Sequence, residues 1–288
     1  MDHIFMNFRR LHMGLKTLLG LRKEGFFIPY RYAASLPDAT KRGSYPAIEA
    51  HMRALEGEFG DLLKGLASYE AEFAAFGKEP PPEPRWEQDW FPRLDAAIAY
   101  AMVREKKPAR IVEVGSGHST RFMARAIKDG QLETAFTAID PAPRAAIETL
   151  PIEVIHKTLH NAGKGPFEAL AAGDFLFIDS SHIAMPGSDV DRLFLEILPS
   201  LPAGVYVHIH DIFLPDDYPV SWDWRGYNEQ QAAAPLFLGG GYGIVFSSSY
   251  VSTRLKDALA QSVIAKLPLP EGAFETSLWL QKRGFTGK

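Results

Sequence analysis

The chain of 288 residues contains no cysteine, which excludes disulfides, thiolate metal sites and a cysteine nucleophile. It lacks an excess of positive charge. Lys and Arg total 31 against 35 Asp and Glu, a formal net charge of -4. That balance argues against a protein that grips a phosphate backbone by charge. No apolar run reaches the length that crosses a bilayer. What is present is the makeup of a packed globular protein, 46% hydrophobic and 23% charged. The absence of cysteine and of a spanning segment leads us to expect a cytoplasmic protein.

Residues 1–85 read as a helical extension. Ile4, Phe5, Phe8, Leu11, Leu15, Leu18 and Leu19 recur at helical spacing, with Arg9, Arg10, Lys16, Arg22 and Lys23 among them. Such a basic amphipathic helix suits a membrane surface, or an apolar stripe packed on the protein or on a second subunit of a homodimer; we adopt the packed reading. A second helical period runs from Pro46 to Phe76. It ends where four prolines fall within residues 80–84, which no helix crosses. The expected division is therefore 1–85 and 86–288.

Beyond the prolines, short β-branched and aromatic runs alternate with helical periods, the pattern of βαβ units on a parallel sheet. Expected strands are Arg110–Val114, Ala135–Ile139, Glu153–His156, Asp174–Ile178 and Val205–His210, with Tyr242–Tyr250 and Phe274–Gln281 closing the sheet. Expected helices are Leu94–Arg104, Ser119–Lys128, Ala142–Thr149, Phe167–Ala171, Val190–Leu198 and one near Thr253–Ala265. The fold class is α/β: a Rossmann-like, doubly wound, mostly parallel seven-stranded sheet with an antiparallel last strand.

The segment IVEVGSGHST, residues 111–120, runs from a strand through a glycine turn into a helix. Gly115 and Gly117 allow a tight turn and close approach of a ligand, and the helix start offers free N–H groups. Glycine spacing alone marks many nucleotide-binding domains. Here Thr120 replaces the third glycine of the dinucleotide pattern. Glu113 precedes the turn, where a carboxylate repels a pyrophosphate and suits an ammonium group.

Glu113-Val114-Gly115-Ser116-Gly117 resembles the E-x-G-x-G first motif of class I S-adenosylmethionine-dependent methyltransferases. FPRLDAAIAYAMV (91–103), DFLFIDSSH (174–182), HDIFLPDDYP (210–219) and YNEQ (227–230) resemble one bacterial branch of that superfamily. The resemblance runs from about residue 86 to the end. It implies a methyltransferase binding S-adenosylmethionine through Glu113, Gly115, Ser116, Gly117, Ser119, Thr120, Asp140 and Asp179. Asp140, 25 residues after Gly115, is placed as the acid that accepts hydrogen bonds from ribose hydroxyls. A helix cap is its competing role, since Pro141 follows.

Asp179, His182, His210 and Asp211 close the fourth and fifth strands, whose carboxyl ends meet in one crevice. Two uses fit. A histidine can act as general base, His182 first and His210 second. Or Asp179 and Asp211 can hold a divalent cation such as Mg2+. Metal-dependent O-methyltransferases resemble this chain in those two acids, but Ile212 stands where they carry Asn, leaving a third ligand unassigned. His208 shares a strand face with His210 and is read as a packed residue. The loop at Asp216, Asp217 and Tyr218 is a lid or an ordinary turn between Pro215 and Pro219.

The expected activity is methylation, at oxygen, of a small-molecule or glycan-type substrate, with no nucleic acid as partner. A nicotinamide-dependent oxidoreductase shares the strand, turn and helix but is disfavoured by Thr120 and Glu113. A non-catalytic binding protein on the same fold has no need of acids at three strand ends.

Overall fold

The β-branched and aromatic runs form strands, and the amphipathic periods form helices that bury their apolar sides against them. The structure, a computed structural model, describes residues 2–284. Helix α1 spans Asp2–Leu18, α2 Pro46–Arg53, α3 Glu56–Gly65, α4 Glu70–Phe73 and α5 Arg93–Lys106. There follow β1 (Arg110–Val114), α6 (His118–Asp129), β2 (Ala135–Ile139), β3 (Glu153–Ile155), α7 (Gly165–Glu168) and β4 (Phe175–Ile178). Helix α8 (Asp189–Arg192) continues through a π turn, Leu193–Ile197, into α9 (Leu198–Ser200). The remainder is β5 (Tyr206–Ile209), α10 (Glu229–Leu238), β6 (Tyr242–Ser247), α11 (Ser248–Arg254), α12 (Lys256–Gln261) and β7 (Leu278–Lys282).

The strands make one sheet in the order β3-β2-β1-β4-β5-β7-β6. Strands β1 to β5 pair in parallel, and β7 runs antiparallel to both β5 and β6. This is the expected Rossmann-like architecture. All four residues of β4 are buried, as a strand covered on both faces requires. Phe175 and Phe177 lie against Trp279 of β7, so the antiparallel strand is part of the same core.

Contacts divide the chain elsewhere than at the proline run. One unit is Met1–Gly43 with Tyr218–Gly226; the other is Ser44–Asp217 with Tyr227–Lys288. Residues 44–85 belong to the larger unit because their apolar period enters its core. Ile48, Met52, Phe59, Leu63, Leu66, Tyr69, Phe73 and Phe76 are all buried there. In the smaller unit none of the described side chains of residues 8–43 is buried. The side chains of Ile4 and Phe5 lie outside the described residues. No described helix is long and apolar enough to cross a membrane.

Several expected elements come out shorter, each for a local reason. Residues 142–149 form turns rather than a helix. Asp140 Oδ1 accepts the Ala142 N–H, Pro143 has no N–H, and Arg121 Nε donates to the Ala146 carbonyl. The period from Pro46 to Phe76 breaks into α2, α3, a 3-10 turn and α4. The strand expected from Tyr242 stops at Ser247, whose hydroxyl caps α11 by accepting from the Tyr250 N–H. The strand expected from Phe274 starts only at Leu278, because the N–H groups of Thr276 and Ser277 are taken by Asp95.

Candidate functional site

Hydrogen bonds carry the sheet one residue past its strands. The N–H groups of Gly115, Asp140, Asp179 and His210 donate to Ile139, Ile155, Val114 and Ile178 at 2.9–3.1 Å. The four residues therefore stand in a row along the carboxyl ends of β1, β2, β4 and β5.

The turn after β1 uses its two glycines differently. Gly115 has φ +81°, and a Cβ built there would lie 1.8 Å from the carbonyl oxygen of Asp179. Only glycine fits. Gly117 has an extended φ, and its Cβ would meet nothing within 4 Å. The fold leaves that space open. Ser116 donates through both N and Oγ to Asp140 Oδ2, at 2.9 and 2.8 Å. Asp140 thus closes a turn at Ala142 with no helix behind it to cap, and fastens the glycine turn, while remaining partly exposed at the crevice.

The residues expected to contact the cofactor separate into two layers. Gly115, Ser116, Gly117, Asp140 and Asp179 are partly exposed, whereas Glu113, Ser119 and Thr120 are buried beneath them. Ser119 Oγ donates to Glu113 Oε1 and Thr120 Oγ1 to Glu113 Oε2, both at 2.6 Å, and Thr120 Oγ1 accepts from the Gly117 N–H. Burial pushes Glu113 up to about 8, against the two hydroxyls that bond it. Glu113 is therefore a brace under the turn. Both of its oxygens are taken by these hydroxyls, so the carboxylate expected for an ammonium group lies buried and bonded beneath the turn.

The side chains expected on the acceptor side do meet. His182 Nε2 is 3.3 Å from Asp179 Oδ1 and 3.4 Å from Asp211 Oδ2. His210 Nδ1 is 3.6 Å from Asp179 Oδ1 and 3.5 Å from Asp211 Oδ1. The far side of each ring is held by a carboxylate that sequence reasoning missed. His182 Nδ1 bonds Glu229 Oε2 at 2.9 Å, and His210 Nε2 lies 3.4 Å from Asp95 Oδ2. Asp95, on the first turn of α5, accepts the N–H groups of Thr276 and Ser277 at 2.9 Å each. Asp179 is the open edge of this cluster, its side chain 33% exposed where those of His182 and His210 are 4% and 5%.

Burial alone would strip both imidazoles of their protons. The carboxylates outweigh it: Asp211, Asp179 and Glu229 hold His182 well above the ordinary histidine range, and Asp211, Asp179 and Asp95 do so for His210. Burial would raise Asp179, but His210 and His182 hold it well below the usual carboxylate range. Burial raises Glu229, and its bond to His182 only partly offsets this. His208 stacks on Phe177 at 3.6 Å, and burial and then His210 keep it neutral, as its reading as a packed residue expects. Among the described residues, no group of three or more His, Asp or Glu side chains is arranged to hold a metal ion.

Two of the four non-glycine residues with positive φ among the described residues lie in this cluster, His182 at +60° and Asp211 at +57°. The others, Lys107 and Gln131, follow the ends of α5 and α6, where left-handed residues are common. Such backbone costs about 1–3 kcal/mol per residue and is kept where surrounding contacts over-determine it. The contacts come from YNEQ. Asn228 N donates to the His182 carbonyl, Asn228 Oδ1 accepts from Ala184 N, and the Tyr227 ring lies 4.6 Å from the His182 ring. Gln230 holds the loop after β5, accepting the Phe213 N–H and donating to the Asp216 carbonyl. Asp216 itself is bonded by Arg254 and Ser44. The Asp216–Asp217 segment, expected as a lid or an ordinary turn, is thus anchored by these bonds.

A mostly parallel seven-stranded sheet, a glycine turn after β1 and acids on the ends of β2, β4 and β5 are the features that the resemblance to class I S-adenosylmethionine-dependent methyltransferases leads one to expect. Residues 112–212 match the family model described as a methyltransferase domain. No curated protein matches the chain. Among solved structures it is similar to the S-adenosylhomocysteine-bound methyltransferase PaMTH1 of Podospora anserina, at 16% identity and TM-score 0.42, covering 90% of this chain and 100% of that one. It is also similar to the O-methyltransferase TomG of Streptomyces achromogenes, at 13% and 0.42, covering 77% and 90%. The O-methyltransferase of Bacillus cereus follows at 14% and 0.37, covering 64% and 82%. At these identities and scores the likeness assigns no substrate.

Proposed function

We propose that the enzyme transfers the methyl group of S-adenosylmethionine to a hydroxyl of a small-molecule or glycan-type acceptor. The observation that carries this is the His182 imidazole, set beside Asp179 and Asp211 on the strand ends next to the glycine turn. The cofactor supplies a methyl group on a sulfonium, ready for in-line attack. The open space at Gly117 and the partly exposed Ser116, Asp140 and Asp179 fit its binding. Gly115 sets the turn, Asp140 is offered to the ribose hydroxyls, and Glu113, Ser119 and Thr120 keep the turn rigid from below.

Holding the reacting atoms in line supplies much of the rate, and the protein adds removal of the hydroxyl proton. His182 takes that proton at Nε2. His210 is the weaker choice because the carboxylate on its other nitrogen, Asp95, stands at 3.4 Å and is already taken by the Thr276 and Ser277 N–H groups, whereas Glu229 holds His182 at 2.9 Å. A divalent cation, Mg2+ first, between Asp179 and Asp211 is the second reading, resting on two acids at neighbouring strand ends, although both are engaged by the same imidazoles. We further read the enzyme as cytoplasmic and, through residues 1–43, homodimeric.

The test supplies methyl-labelled cofactor with phenolic and sugar hydroxyl acceptors and locates the label. A label on oxygen that disappears in His182→Gln supports the reading; a label on nitrogen or carbon overturns O-methylation. Loss of turnover in chelator, restored by magnesium or manganese, selects the cation.

A further inference from the structure

We infer that Glu229 is a positioning residue of methyl transfer, holding the Nδ1 proton of His182 so that Nε2 is the nitrogen presented to Asp179, Asp211 and the acceptor. The inference rests on the reading of His182 as base. Glu229 opens α10, is fully buried, and reaches His182 across 47 residues of sequence. Its Oε2 lies 2.9 Å from Nδ1, while its Oε1 is buried with no hydrogen-bond partner.

A carboxylate sealed from water with one oxygen unmatched is costly, and packing alone would be better served by an apolar side chain. What a carboxylate does here that an amide does not is accept only. Facing an acceptor, Nδ1 must carry the proton, and a neutral ring then has its lone pair on Nε2. An amide in the same place can donate to Nδ1 and reverse the tautomer. The neighbours of Glu229 serve the same end. Asn228 bonds the backbone on both sides of the loop at His182 and Ala184, and Tyr227 covers the ring, so the imidazole cannot turn away. Histidines used in catalysis are commonly oriented through the second nitrogen in this manner.

The test compares Glu229→Gln, Glu229→Asp and His182→Gln in the full chain. Glu229→Gln is expected to lower kcat by about a hundredfold or more, the scale of general-base catalysis, with S-adenosylhomocysteine affinity unchanged. Glu229→Asp, which keeps an acceptor, is expected to recover part of kcat. Long-range proton–nitrogen spectra at alkaline pH are expected to show Nδ1–H in the native His182 ring and Nε2–H in Glu229→Gln. Full activity in Glu229→Gln beside an inactive His182→Gln overturns the positioning role and leaves the base intact. Unchanged activity in His182→Gln overturns the base reading itself. Joint loss of kcat and of S-adenosylhomocysteine binding in Glu229→Gln marks a structural role only. If Glu229→Gln does not fold, the native spectrum decides alone, and Nε2–H there overturns the inference.

Discussion

The two sides of the crevice are built by opposite means. On the β1–β2 side the groups are close in sequence, and the work is done by backbone: a glycine that admits no side chain, a second that leaves room for one, and Asp140 bonding Ser116. On the β4–β5 side the work is done by charge gathered from afar, with Glu229 and Asp95 arriving from 47 and 115 residues away. The first side is sensitive to volume and the second to protons. Each can be perturbed without the other, which makes the contrast testable.

The largest effect belongs to the backbone side. Gly115→Ala places a Cβ 1.8 Å from the Asp179 carbonyl on a backbone with φ +81°. Neither strand end can retreat without breaking the pairs that Gly115 and Asp179 make with Ile139 and Val114. The expected destabilisation exceeds about 4 kcal/mol by chemical denaturation. A variant as stable as the parent would show the turn to be soft, and the contrast between the two sides would fall.

The next effect is one of pH. His182 must be neutral to accept a proton, and its carboxylate neighbours hold it protonated well above 6.5. The methyl-transfer rate is therefore expected to climb on the alkaline side of neutrality. Stability should run the other way. A histidine raised in the folded state contributes stability that is fully present below its unfolded value near 6.5 and is lost as pH rises through the folded value. Rate and unfolding free energy measured across pH 6–10 should thus trend in opposite directions; a rate that peaks below pH 6.5 would remove His182 as the base.

A smaller effect separates the two glycines and Asp140. Asp140→Ala should weaken S-adenosylhomocysteine binding by about 1–3 kcal/mol in calorimetry, the scale of hydrogen bonds to a charged group. Gly117→Ala should cost less than about 1 kcal/mol in stability, since its Cβ meets nothing, yet should still reduce cofactor affinity by filling the open space. Equal effects of Gly115→Ala and Gly117→Ala on folding would show that the turn does not distinguish them.

How much of this was legible in sequence follows from the same contrast. The turn, Asp140, Asp179, His182, His210 and Asp211 could be named because each ends a strand whose apolar run is visible, and the parallel order then aligns those ends. Glu113 was visible, but its burial and its two hydroxyl partners were not. Its position before the turn says nothing of whether its oxygens face the crevice or the hydroxyls of Ser119 and Thr120 one helical turn on. Glu229 stood in a recognised segment but had no role until topology brought α10 over the loop after β4. Asp95 likewise stood in a recognised segment, residues 91–103, but drew no role, because an acid on the first turn of a helix is ordinarily a favourable surface residue. The helix expected at residues 142–149 failed for a comparable reason, its carbonyl and N–H groups being claimed by Arg121 and Asp140.

The smallest expected effect on catalysis, and the last comparison, concerns residues 1–43. They carry eight Lys and Arg against three Asp and Glu, leaving 23 against 32 in the rest of the chain. Phe8, Leu11, Leu15, Leu18 and Leu19 are exposed, as are Phe26, Phe27 and Ile28. Covering one such side chain contributes about 1.5–3 kcal/mol, so a face of this kind gains by association. A basic arm meeting an acidic second copy satisfies both its charge and its apolar stripe, whereas an anionic membrane would repel the remainder of the chain. Leu11→Asp with Leu15→Asp changes two exposed positions outside the methyltransferase core, so unfolding temperature and S-adenosylhomocysteine affinity should hold. Light scattering should register two chains in the native protein and one in the variant. A native protein that is monomeric at micromolar concentration ends the homodimer reading, and one that also floats with anionic vesicles turns the arm's partner from a second copy to a membrane surface.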